Sequence, residues 1–177
     1  IDLYGEYSEI LERENRRFLG NINGTQPNNY FCSLFTAYGD TSVSLFGRSF
    51  DNPSGWHCLT LLMNSYPKDG YRSISLMRLR DIGFEIGTAM LKLSSTQKNT
   101  LLDAVFHCPD GINEHGVVAG LANVREVSFT PDNSKPSIWV TLLVREILDH
   151  ARDVDEAVEI MRQYNICCPT STVLGIH

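Results

Sequence analysis

The chain has 177 residues, 42% of them hydrophobic, with 15 basic against 21 acidic side chains and a formal net charge of −6. That is the length of one domain with apolar residues enough for a substantial core, which excludes a disordered or fibrous chain. The acidic balance, with no block of lysines or arginines to track phosphates, argues against nucleic acid, and no apolar run is long enough to span a bilayer.

The five cysteines, at 32, 58, 108, 167 and 168, are odd in number and show no C-x-x-C spacing, which argues against a disulfide framework or a standard zinc site. His57-Cys58 and His107-Cys108 are adjacent pairs, but neighbours on a strand point to opposite faces and rarely share an ion, so no metal or other cofactor is expected. Because the chain opens on Ile1, a removed or omitted leading segment is suspected, and the compartment stays open.

In chain order, Tyr7, Ile10, Leu11, Glu14 and Phe18 recur at helical spacing and predict an amphipathic helix over 6–18, stopped by Gly20. A turn-rich linker then delivers the chain to Cys32. From Cys32 to Asp51 the alternation predicts a β-hairpin turning at Tyr38-Gly39-Asp40-Thr41, which returns Arg48 and Asp51 to the neighbourhood of Cys32. A second strand pair is expected over 58–66 and 71–79, joined by Pro67-Lys68-Asp69-Gly70. Residues 81–88 read as irregular or as a short strand. Ser95 or Thr96 is expected to cap a helix carrying Leu101, Leu102, Ala104 and Val105, ended by Pro109 and Gly111.

Residues 110–116 read as a polar loop, followed by an apolar strand over 117–121 with Asn123 just beyond. After a proline-containing loop, a helix over 138–151 is expected to bury Ile138, Leu142, Ile147 and Leu148. Asp153-x-x-Glu156 then opens a further helix with Val154, Ala157, Val158 and Met161 inward. A strand begins at Thr172. This order of elements predicts an α+β fold, antiparallel sheet covered by helices.

Two separated segments resemble one family. Gly47-Arg48-Ser49-Phe50-Asp51, closing the strand after the one that Cys32 opens, is similar to the Gly-Arg-x-x-Asp signature of N-terminal-nucleophile (Ntn) hydrolases. The branch is that of choloylglycine hydrolase, penicillin V acylase and the acyltransferase-type linear-amide hydrolases. Asp110-Gly111-Ile112-Asn113-Glu114-His115-Gly116-Val117, running on to Asn123, is similar to that family's second signature. The resemblance covers roughly residues 32–177. It implies a four-layer αββα sandwich, present here in its N-terminal part, since relatives continue with further strands.

It also implies that Cys32 attacks an amide carbonyl and that its own α-amine, once freed, acts as base. Arg48 would favour the thiolate, Asp51 would orient the ammonium, and Asn123 would donate to the oxyanion. Cys32 is preceded by Phe31, so residues 1–31 are expected to be a propeptide or α-segment, cut from the Ntn-hydrolase domain at 32–177. Asn113 and Glu114 read as structural residues of the turn. The implied partner is a small N-acyl amide acting as substrate, and a homo-oligomer is compatible with the family. A catalytically silent acyl-ligand-binding module of the same fold is the alternative. A redox role for Cys167-Cys168 is disfavoured, because adjacent cysteines form strained bridges.

Overall fold

The computed structural model describes residues 31–38, 44–51, 60–84, 92–124, 130–167 and 171–176. The helix expected over 6–18 and the turn at 39–43 lie outside the described residues. Two strands, β1 (Phe31–Tyr38) and β2 (Ser44–Asp51), form the antiparallel hairpin read from the sequence, with Cys32 opposite Phe50 and Leu34 opposite Arg48. The main sheet contains β3 (Thr60–Ser65), β4 (Ser73–Arg78), β5 (Asp110–Asn113), β6 (Val118–Val124) and β9 (Ser171–Ile176). Its order is β3-β4-β5-β6-β9, antiparallel throughout.

Among the described residues three helices accompany it: α1 (Ser95–Leu102), α2 (Val140–His150) and α3 (Val154–Arg162). The short strands β7 (Ser137–Trp139) and β8 (Asn165–Cys167) pair in parallel beside them.

Helix α2 lies on one face of the main sheet and the β1–β2 hairpin on the other. Two glycines show how closely these layers approach. A side chain at Gly111 would meet Leu148 Cδ1 of α2 at 2.6 Å, and one at Gly120 would meet Phe46 Cζ and Leu34 Cδ2 of the hairpin at 2.9 and 3.2 Å. Helix, sheet and hairpin thus stack as three layers among the described residues, an arrangement compatible with an α+β sandwich.

The core lies on the helical side. Leu142, Leu143, Ile147 and Leu148 of α2 are fully buried, each contributing about 1.5–3 kcal/mol by the area it removes from water. On β4 the alternation is complete: Ser73, Ser75 and Met77 are buried toward the helix, while Ile74 and Leu76 stay half-exposed on the hairpin side.

Several boundaries differ from expectation. Residues 110–113 are a strand, not a loop, because β4 and β6 satisfy their backbone groups from both sides. Leu79–Ile82 is a 3₁₀ turn, and residues 85–91 lie outside the described part. The cap of α1 is Ser94, one residue earlier than expected. Its hydroxyl accepts from Gln97 N at 3.2 Å while the Gln97 side chain accepts from Ser94 N at 2.9 Å, a reciprocal pair that Ser95 could not make. Ile138 and Trp139 leave the expected helix and, with Ser137, pair with β8. At α3, Asp153 caps as expected, accepting from Glu156 N at 2.9 Å, but Glu156 turns back to Arg152. Ala157 is buried, whereas Val154 is 39% exposed, a first-turn residue facing out.

Candidate active site

Leu34 and Arg48 face each other across the hairpin, and Cys32 is the next residue on Leu34's side of β1. Cys32 and Arg48 are therefore diagonal neighbours on one face of the ribbon. The Arg48 Nη2 lies 3.9 Å from Cys32 Sγ, and Cys32 itself is half-buried. The hairpin thus brings a cation to the side of the sulfur.

The same guanidinium reaches into the main sheet. Its Nη1 donates to Asp110 Oδ2 in an ion pair whose side chains are only 10% and 7% exposed. Burial pushes the Asp110 carboxyl up from its ordinary value, and the charge and hydrogen bond of Arg48, then the charge of Arg78, pull it the other way. Arg78, at the end of β4, is itself paired with Asp81 at 2.9 Å. Two arginines and two carboxylates therefore cluster at this end of the sheet, with the thiol at their edge.

Asp51 and Asn123 are placed by their backbones. Asp51 ends β2 as the register partner of Phe31, beside the peptide bond that joins Phe31 to Cys32. Asn123 lies on β6, three residues beyond the Gly120 on which the hairpin rests, and pairs with Thr172 of β9. The side chains of both lie outside the described part of the structure. Cys32 and Arg48 are thus brought into contact, and Asp51 and Asn123 are located by strand position.

Asn113 has the turn role read from the sequence. Its carbonyl accepts from the backbone of His115 and Val117 at 3.1 and 3.0 Å, and its amide donates to the carbonyls of Leu148 and Ala151 at 3.2 and 2.7 Å, closing the end of α2. Glu114 accepts from Arg72 N at 2.9 Å. No group of histidine, cysteine and carboxylate side chains able to hold a metal occurs among the described residues.

Asp110 was missed as part of the site. In the sequence it reads as a turn former ahead of Gly111, and only its position on a central strand under the hairpin turns it toward Arg48. The available signal was that Asp110 heads the second signature while Arg48 stands in the first.

Among the described residues a thiol and a guanidinium thus meet on a hairpin laid over an antiparallel sheet, with a helix on the sheet's other face. Residues 94–175 match the family model for acyl-coenzyme A:6-aminopenicillanic acid acyl-transferase, within the Ntn-hydrolase penicillin acylase-like group. The matched stretch runs from the cap of α1 into β9 and contains Asp110 and Asn123. That family is one of acyltransferases and acylases. No curated protein matches the chain.

Proposed function

We propose that the protein is a cysteine-nucleophile hydrolase or acyltransferase acting on a linear carbon–nitrogen amide bond through an acyl-thioester. The observation that carries this reading is the Arg48 guanidinium 3.9 Å from Cys32 Sγ, on a hairpin seated on β6, a strand of the family-matched stretch. The Cys32 sulfur attacks the amide carbonyl and its proton passes to the α-amine of the same residue. The amide nitrogen then leaves with that proton. Water, or an acceptor amine in the transferase case, takes the acyl group and returns the thiol. Arg48 stabilises charge at sulfur, Asp51 orients the freed ammonium, and Asn123 donates to the oxyanion, a contribution of about 10²–10³ in rate for one such donor.

The base exists only after the bond between Phe31 and Cys32 is cut. The Cys32 thiol attacks the Phe31 carbonyl, the acyl group shifts from nitrogen to sulfur, and water hydrolyses the thioester to leave a carboxylate on Phe31 and a free α-amine on Cys32. The register of Asp51 opposite Phe31 supports this, since it sets a carboxylate-bearing residue beside that bond.

Intact mass decides the matter. A wild-type chain split after Phe31 beside an unsplit Cys32→Ala chain is the expected result, and an unsplit wild type with full amidase activity would sink the cleavage step. A panel of bile-salt conjugates, phenoxyacetyl amides and fatty-acyl amides then reads the substrate class. Slow, equal iodoacetamide labelling of Cys32 and the other cysteines would favour the silent binding module instead.

A further inference from the structure

On the reading that Cys32 is the nucleophile, we infer that Asp110 is a positioning residue which holds the Arg48 guanidinium against the sulfur. Arg48 has a long side chain with about 2 kcal/mol of rotamer entropy to lose, and its 3.9 Å contact with a thiol is too weak to fix it. A charge-assisted bond to a carboxylate is strong enough. That carboxylate comes from the other layer: Arg48 stands on the hairpin and Asp110 on the main sheet, so the ion pair ties the nucleophile's strand pair to the sheet beneath.

Asp110 is itself well held. Its strand is central, paired to Leu76 of β4 on one side and to Gly120 of β6 on the other. Gly120 also supplies the room, since a side chain there would strike Phe46 and Leu34 and hold the hairpin off the sheet. The guanidinium uses Nη1 for Asp110 and Nη2 for the sulfur, so fixing one end orients the other. Asp110 acts on the thiol through Arg48.

The test is a double-mutant cycle read by iodoacetamide alkylation of Cys32, followed by peptide mass in the full chain. If Asp110 works through Arg48, Asp110→Ala and Arg48→Ala each slow the reaction about tenfold, and the double variant is no slower than either single one. Asp110→Glu, which keeps a carboxylate on a longer arm, recovers part of the rate. Cys108, fully buried, labels only if the fold opens and so monitors each variant in the same digest. Should Asp110→Ala expose Cys108, Asp110→Asn replaces it in the cycle with the same expected non-additivity.

Asp110→Ala at the wild-type rate, or a double variant slowed by the product of the two single effects, overturns the role of Asp110 while the nucleophile reading stands. Arg48→Ala at the wild-type rate overturns both.

Discussion

Cys32 and Cys108 carry the same thiol into opposite surroundings. Cys108 is fully buried, its Sγ within hydrogen-bond reach of Ser75 Oγ at 3.3 Å and of the Val105 carbonyl at 3.2 Å. Burial pushes its thiol up, and the nearby Arg145 charge pulls only partly back. Cys108 should therefore react with iodoacetamide at least about tenfold more slowly than Cys32; labelling at equal rates would contradict these placements.

Asp110 has a sign that can be worked out. Its folded-state value is raised above 3.8, burial being the larger cause, so its stabilising contribution is present below that value and is lost as pH rises through the folded one. Asparagine does not titrate. The stability of wild type minus that of Asp110→Asn should fall as pH climbs from just below 3.8 through the raised value, read by urea denaturation at stepped pH. A difference that grows over that window would mean that the Arg48 charge outweighs burial.

At the scale of the elements, α2 is the unusual one. Its buried residues include Arg145 and Asp149, both 0% exposed and paired one turn apart. Arg145 Nη2 also donates to Ser73 Oγ at 2.7 Å and Nη1 to Ser65 Oγ at 3.3 Å, so the helix grips the turn end of the β3–β4 hairpin by side chain as well as by packing. The Asp149 carbonyl adds a backbone bond, accepting from Tyr71 N at 2.8 Å. Asp149→Ala leaves the arginine buried without that counter-charge and should cost about 3–5 kcal/mol, measurable by chemical denaturation. A loss below about 1 kcal/mol would indicate that the pair is as dispensable as an exposed one. Periodicity located this helix, and the apolar positions it nominated are buried. It could not show that the charged positions are buried too, because a stripe pattern assigns charge to solvent by default.

For the whole molecule, the site depends on how the hairpin sits on the sheet. Gly120→Val places methyl groups where Phe46 and Leu34 already lie, and overpacking of that kind costs about 1–3 kcal/mol. Hydrogen exchange should then quicken in β1 and β2 while the amides of α2 keep their protection. Equal loosening of both would show that the layers do not yield separately. The hairpin itself was legible from alternation and turn residues, including the return of Arg48 to Cys32. Strand β5 was not, since Asp110-Gly111-Ile112-Asn113 has the composition of a turn and becomes a strand only through pairing on both edges.

Local chemistry in the sequence was sufficient for the hairpin, for the amphipathic helix carrying Leu142, Ile147 and Leu148, for the Asp153 cap, and for the signature that starts at Asp110, which lies in the family-matched stretch. These depend on residues near one another along the chain, where alternation, caps and turn formers act directly. Only the tertiary structure decided that Asp110 faces Arg48 and that the hairpin rests on Gly120. Those contacts join residues far apart in sequence, and which of them meet is set by the register of a five-stranded sheet and the closeness of two packed layers.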